Sequence, residues 1–322
     1  MLTLPGDRLP TAEILPACLP EDGLGRIINA LAHAMPAIAA RLAAGKLMGD
    51  PAALVGNNES GDAQKALDVG AHDHVTAELR GCGVRFMLSE EAEEVEVLDP
   101  NGSFDIAIDP IDGSGSIGIG APLGMLFVIY PTGPKDFARP GSEAAAAGYA
   151  SFGHSLDFGY VIKGEGVNLF TFDGQDFRIT NRDVKIRATT STIAYNASNE
   201  RHWAPGLQQW AADLRAGADG PRGRDFNMRW LAAAVGELHR ILLKGGAFLY
   251  PADSRPGYEG GRLRLAYEAV PMAILIEAAG GKATDGTNRI LDLVPGTPHQ
   301  HVALVFGASE EVETVARHLS ET

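Results

Sequence analysis

The sequence predicts a protein of the α/β or α+β class. Segments with helical apolar spacing are interspersed with short apolar runs of β character, and no internal repeat organises them. The chain has 322 residues, 45% of them apolar, enough for one large core or two fused ones. The first helix is expected over Glu21–Ala44, where Leu24, Ile27, Ile28, Leu31, Met35, Ile38 and Leu42 recur on one face, with a kink at Pro36. Gly45–Gly61 is rich in Gly and Asn without periodicity and reads as a long loop, a type of segment that often carries function. Asp62–Arg80 reads as a second helix. Short β-like runs follow at Val84–Leu88, Phe104–Ile108, Met125–Tyr130, Tyr160–Ile162 and Asn168–Phe172. A long amphipathic helix is expected over Phe226–Leu243, stopped by Gly245-Gly246. Another is expected over Glu268–Ala279, with Pro271 in its first turn and Gly280-Gly281 as its stop. Val302–Phe306 reads as a buried strand. The stretch from Asn181 to Arg224 has the least periodicity, so two halves are drawn at 1–190 and 191–322.

The formal net charge of −14 excludes nucleic acid and anionic membrane as natural partners. No segment reaches the roughly 18–20 apolar residues of a membrane-spanning helix. The first residues lack a basic region followed by an apolar run, and the two cysteines, Cys18 and Cys82, make no disulfide framework. A cytoplasmic protein is expected. An anionic ligand would need a local concentration of Arg, Lys, backbone N–H groups or bound cations.

The strongest local signal is Asp109-Pro110-Ile111-Asp112-Gly113-Ser114, at the end of the apolar run Phe104–Ile108. Two carboxylates three residues apart, stiffened by proline, can converge on a hard cation, and the glycine-rich continuation can offer backbone N–H groups to a phosphate. The same residues also make an ordinary turn. Glu90 and Glu91 close another apolar run, Asp62 and Asp68 flank the start of the second helix, and Glu268 heads a later one. Each has a plain explanation as a loop acid or helix-start acid. Together they supply carboxylates from several element ends, as a multi-metal phosphoryl-transfer site requires.

These residues lie in motifs that resemble a known family. DPIDGSGSI resembles the DPLDGSSNI signature of class I fructose-1,6-bisphosphatases, and also the DPIDGT signature of the wider inositol monophosphatase superfamily. GDAQKALDVGAHD, FMLSEE, YNASN, NMRW…ELHRILLKGGAFLYP and GGRLRLAYEAVPMAILIEAAGGKATDG resemble further segments of the first family, in the same order from about Gly61 to Gly307. The resemblance implies a layered α/β/α/β/α sandwich of two fused halves, the sugar phosphatase fold, with one site at their junction. It implies magnesium-dependent hydrolysis of the 1-phosphate of fructose 1,6-bisphosphate to fructose 6-phosphate, in gluconeogenesis or the Calvin cycle, without a phosphoenzyme. Two or three Mg²⁺ per subunit are implied, with Mn²⁺ as a substitute.

Carried over by motif, the metal ligands are Asp62, Glu90, Asp109, the carbonyl of Ile111, Asp112 and Glu268, while Asp68 and Glu91 act on the attacking water. The substrate contacts are Gly113, Ser114, Asn196, Arg229, Tyr250, Arg262 and Arg264. Arg229 is implied to reach a neighbouring subunit's site, hence a homo-oligomer, dimer or tetramer. On periodicity alone, Arg262 and Arg264 are the exposed positions of a strand that buries Leu263 and Leu265.

The pattern departs from the family in places. Gly115, Ser116 and Gly118 replace polar signature residues, Trp230 replaces a tyrosine, and Arg262 stands where lysine is usual. Ser103-Phe104 and Pro131 occupy the places of the cations that bind AMP in many members, so AMP insensitivity is expected. A sedoheptulose-1,7-bisphosphatase or dual enzyme, an inositol monophosphatase-like phosphatase and a non-catalytic sugar-phosphate binder are the alternatives. The histidines show no metal-ligand spacing; His72, His74 and His239 read as surface or satisfied core residues, while His299 and His301 lie in a loop that resembles a family hallmark and have no assigned role.

Overall fold

A computed structural model of the chain describes residues 12–57 and 63–321. Asp22 starts the first helix, α1 (Gly23–Ala43), by accepting a hydrogen bond from the N–H of Gly25 at 3.0 Å. The helix continues through Pro36 to Ala43. Two short antiparallel strands, β1 (Leu54–Asn57) and β2 (Ala63–Lys65), precede α2 (Ala66–Leu79). There follow β3 (Val84–Ser89), β4 (Glu96–Val97), β5 (Phe104–Asp112), β6 (Leu123–Pro131), β7 (Ala146–Phe152), β8 (Leu156–Ile162), β9 (Val167–Phe172) and β10 (Phe177–Val184). The second half holds β11 (Thr192–Ala194), α3 (Pro205–Arg215), β12 (Asn227–Met228), α4 (Ala234–Lys244), β13 (Ala247–Tyr250), β14 (Leu263–Arg264), α5 (Val270–Ala278), β15 (Lys282–Thr284), β16 (His301–Val302), β17 (Leu304–Gly307) and α6 (Ser309–Ser320).

Strands β3 to β10 form one eight-stranded sheet in the order β10-β9-β8-β7-β6-β5-β3-β4. Its long part is an antiparallel meander, and only β3 and β5 run parallel. β5 and β6 are buried almost throughout because both faces are covered. Ile106, Ile108, Phe127 and Ile129 pack with Ile27, Leu31 and Met35 of α1. Their alternate neighbours Ala107, Leu126 and Val128 pack with Leu238 of α4 and Met272 and Leu275 of α5. A second sheet, β12-β11-β13-β17-β15, presents Phe248 and Phe306 to α4 and α5 and Leu249 and Val305 to Trp210 and Val312 of α3 and α6. The layers are therefore helices, sheet, helices, sheet, helices, the expected α/β/α/β/α arrangement.

Several elements differ from the sequence reading. The expected helix Phe226–Leu243 is helical only over Ala234–Lys244. Its first part is an edge strand, paired in parallel with β11, and Ala232 takes φ +60 before the helix begins. Sheet pairing outcompetes the helical spacing there: Asn227 and Arg229 donate to the carbonyls of Ser191 and Ile193, each at 2.8 Å. The Gly45–Gly61 segment contains β1 rather than being loop alone, and Asn181–Arg224 contains the end of β10, β11 and α3. The helix at Glu268–Ala279 begins with a π-turn, Leu265–Ala269. Among the described residues no helix is long and apolar enough to cross a membrane.

Candidate active site

The carboxylates converge because of how β5 ends. Asp109 pairs with Leu126 and Asp112 with Gly124, so three steps along β5 oppose two along β6. In a regular strand, residues three apart point to opposite faces; the bulge brings Asp112 back toward the side of Asp109. Asp109 Oδ1 accepts the N–H of Ile111 at 2.9 Å, which holds the turn. Ser89 of β3 pairs with Ile108 of the parallel β5, and the N–H of Glu90 donates to the Ile108 carbonyl at 3.1 Å. The C-terminal ends of two parallel strands thus place Glu90 beside Asp109.

The second half completes the cluster. Glu268 sits in the π-turn before α5, where its Oε2 accepts the backbone N–H of Arg264. Asp112 Oδ2 accepts the N–H of Val235 in the first turn of α4, at 2.7 Å. Carboxylate oxygens of Asp109, Asp112 and Glu268 lie within 4.8 Å of one another, and all three residues are buried. Desolvation is the largest cause in raising each acid. Glu90 is pushed up to about 7, with the charges of Glu91 and Asp112 adding to the rise and Asp109 and Arg264 opposing it. Asp112 is pushed up to about 6 against its bond to Val235. Asp109 and Glu268 are raised well above the usual carboxylate range, each further by Glu90 and Asp112.

So many acids in a desolvated site repel one another unless cations neutralise them. The donors are all oxygen, with neither His nor Cys in the cluster, which suits a hard divalent ion. The site fits a metal of that kind. Asp62 lies outside the described residues.

Asp68, at the start of α2, is buried with one oxygen, Oδ1, lacking a hydrogen-bond partner. Burial first, and then the charge of Glu91, push its carboxyl up to about 7. Gln64 donates from Nε2 to both the carbonyl and Oε2 of Glu91, at 3.0 and 2.9 Å. Gly113 takes φ +82, and a Cβ there would meet the Cβ of Ala233 at 2.7 Å, so this position requires glycine. Lys65 donates its ammonium to the carbonyl of Ser114, which sets a cation against the turn Ser114–Ser116. Gln64 and Lys65 have no place in the sequence reading, although both stand inside the GDAQKALD segment.

The expected second-phosphate residues lie in the C-terminal half. β11 and β13 run parallel with Ala194 opposite Phe248, so Asn196 and Tyr250 follow at the same end of that sheet. Asn196 accepts from the N–H and Oγ of Ser198 at 3.1 and 2.6 Å. Tyr250 meets Trp230 edge-on at 6.2 Å, and Trp230 stacks on Phe248 at 5.7 Å. The charge of Arg262 reaches the Tyr250 hydroxyl. Arg229 is exposed on the continuation of edge strand β12. Arg264 corrects the strand-alternation reading. It is buried, not exposed, and its charge acts on Glu90 and Glu268. The reason is that the strand ends at Arg264 and the π-turn begins at Leu265, so strand alternation does not continue and Arg264 lies beside the acids of the cluster. His299 joins the two halves: its Nδ1 meets the Tyr267 hydroxyl at 2.9 Å and its Nε2 the Glu93 carbonyl at 3.4 Å.

The chain is similar to known proteins along most of its length. Residues 18–180 match the family model described as the N-terminal domain of fructose-1-6-bisphosphatase, and residues 186–320 match that of its C-terminal domain. The chain is 49% identical over 315 residues to the fructose-1,6-bisphosphatase class 1 of Brucella suis, covering 97% of this chain and 88% of the relative. It is 50% identical over 297 residues to that of Brucella anthropi, covering 91% and 87%. Among solved structures, fructose-1,6-bisphosphatase of Leishmania major in its holo form superposes with a TM-score of 0.89 at 27% identity, covering 97% of this chain and 100% of that one. The T-state structure of the same enzyme gives 0.85 at 26%, with the same coverage.

Proposed function

The chain belongs to the fructose-1,6-bisphosphatase family, and from that premise we propose how its residues carry the reaction. It is a metal-dependent phosphoric monoester hydrolase that converts fructose 1,6-bisphosphate to fructose 6-phosphate and phosphate. The observation that carries the assignment of the site is the buried convergence of Asp109, Asp112 and Glu268 within 4.8 Å, drawn from both halves of the chain. In this reading 1–190 is the metal-binding half and 191–322 the substrate-binding half.

Glu90, Asp109, Asp112, Glu268 and the Ile111 carbonyl hold two or three Mg²⁺, with Asp62 as a further ligand and Mn²⁺ as a substitute. When bound, the cations neutralise the phosphoryl oxygens and the leaving alkoxide and acidify the attacking water. Asp68 and Glu91 take the proton from that water. A carboxyl near 7, as at Asp68, suits a general base working at neutral pH. Gln64 fixes the direction of Glu91. Gly113 and Ser114 present backbone N–H groups to the reacting phosphate, and Lys65 steadies their turn and adds positive charge. Arg264 offsets the acids beside the same phosphate. Asn196, Tyr250, Arg262 and a neighbouring subunit's Arg229 receive the second phosphate. The enzyme works without a phosphoenzyme, as a homo-oligomer in the cytoplasm, in gluconeogenesis or carbon fixation, and is insensitive to AMP.

The test is phosphate release with Mg²⁺ from fructose 1,6-bisphosphate, sedoheptulose 1,7-bisphosphate, fructose 6-phosphate and inositol 1-phosphate. Preference for the first, abolished by Asp112→Asn, is expected. Equal turnover of the second would make the enzyme dual in specificity. Turnover of the last two at the same rate would overturn the second-phosphate site.

A further inference from the structure

The loop between Tyr250 and Arg262 has no part in the chemistry above, yet it is built with care. It closes on itself through three backbone bonds: Asp253 N–H to Tyr258 O at 3.1 Å, Tyr258 N–H to Arg255 O at 3.0 Å and Gly261 N–H to Tyr258 O at 3.0 Å. Asp253 is buried and accepts both the backbone N–H and the Nε of Arg255, at 3.0 and 2.9 Å. So anchored, Arg255 sets its guanidinium carbon 4.1 Å from the centre of the Tyr258 ring. The guanidinium carbon of Arg262 lies 5.1 Å from the centre of the same ring. Gly261, immediately before Arg262, takes φ +97, and a Cβ there would meet the N of Ala303 at 2.1 Å. The backbone thus fixes where Arg262 starts, and the ring holds where it ends.

We propose that Tyr258 is a positioning residue that determines specificity for a second phosphate, by holding the guanidinium of Arg262 at the mouth of that subsite. This rests on the reading of Arg262 as a second-phosphate contact. An exposed arginine has many rotamers, and each must be given up when a phosphate binds. A guanidinium held over an aromatic ring is already restricted, and its planar fork of N–H donors stays available for a phosphate. A lysine ammonium has no such fork, so the aromatic partner and the arginine belong together. Arg255, held by Asp253, occupies the ring as well and keeps Tyr258 from turning away. The Tyr250 hydroxyl feels the charges of Arg262 and Arg255, which puts this assembly beside the residue expected to receive the phosphate.

The experiment is steady-state kinetics of the intact enzyme with Mg²⁺, on fructose 1,6-bisphosphate and on fructose 1-phosphate, which lacks the second phosphate. Tyr258→Leu is expected to raise KM for the bisphosphate roughly three- to tenfold, the scale of one half-desolvated cation–π contact, with kcat little changed. Fructose 1-phosphate should show no such rise. Tyr258→Phe keeps the ring and should restore the lower KM, which a role through the hydroxyl would not allow. Arg262→Ala separates the two ideas. If it raises KM for the bisphosphate and Tyr258→Leu does not, Tyr258 does not position Arg262 and the proposal fails on its own. If Arg262→Ala leaves KM unchanged, the second-phosphate assignment of Arg262 falls and takes the proposal with it. A Tyr258→Leu effect of equal size on both substrates also overturns it.

Discussion

The N–H of Val235 lies 2.7 Å from Oδ2 of Asp112, so one carboxylate of the acid cluster also caps helix α4. The strand end of the first half is thereby tied to a helix of the second. An amide can replace the carboxylate as a cap, because the cap needs only an acceptor, but it supplies no negative charge to a cation. Asp112→Asn is therefore expected to fold with the cap intact while losing at least about 100-fold in activity. Asp112→Ala should lose the same activity and about 1 kcal/mol of stability besides. Thermal melting and phosphate release on both variants check this. Equal melting temperatures for the two would contradict the capping role.

Stability without metal should fall as pH rises. Carboxyls of the unfolded chain titrate near 4. In the folded chain Asp112 is pushed up to about 6 and Glu90 to about 7, with Asp109 and Glu268 raised well above their usual range. Between roughly pH 4 and 7 the folded state thus binds more protons than the unfolded one, and each pH step upward costs stability. Divalent cations compete with those protons, so their stabilising effect grows over the same range. At about 100 times its Kd, Mg²⁺ should add about 2.7 kcal/mol. Melting curves at about pH 5.5 and about pH 8, in EDTA and in Mg²⁺, test this. A metal-free protein that is more stable at the higher pH would defeat it.

The acids were legible because Asp109, Asp112 and Glu90 follow apolar runs and are punctuated by Pro and Gly, which mark strand ends. Their convergence was expected from the spacing of Asp109 and Asp112, but the device that produces it, the bulge against Leu126 and Gly124, leaves no mark in the sequence. The contacts of Lys65 with Ser114 and of Gln64 with Glu91 join residues far apart in sequence and leave no periodic trace. The central strand Ala146–Phe152 escaped because Ala and Gly are poor strand formers. It is needed there for packing: a Cβ at Gly148 would meet the Phe127 ring at 2.3 Å. Helical spacing over Phe226–Ala233 misled because a two-residue edge strand is too short to show alternation.

AMP should not inhibit. The resemblance places Ser103-Phe104 and Pro131 where many family members carry the residues that bind AMP. The cations near that corner are already committed. Arg85 grips both oxygens of buried Asp105 at 2.9 Å, and Arg139 takes a third bond to it at 2.9 Å. Turning either toward a nucleotide phosphate would take one of two guanidinium partners from the buried Asp105 carboxylate, a cost that binding would have to offset. Activity should be unchanged up to about 1 mM AMP, the range of weak association. Half-inhibition in the micromolar range would refute this.

Arg229 offers a test of assembly that needs no structure of the oligomer. It is exposed on the continuation of the edge strand Asn227–Met228, with its N–H on the Ile193 carbonyl and its guanidinium donating to the Met228 carbonyl at 3.2 Å, with no carboxylate bonded to it among the described residues. A side chain placed so can serve a neighbour's site. Arg229→Ala should then raise KM for fructose 1,6-bisphosphate while Asp112→Asn removes turnover. Neither variant alone works at low substrate. Co-expressed, they form mixed oligomers in which a subunit with intact Asp112 borrows Arg229 from its Asp112→Asn neighbour. In a two-fold pairing about a quarter of all sites should regain the native KM. If Arg229 serves its own subunit, mixing yields only the sum of the two separate activities.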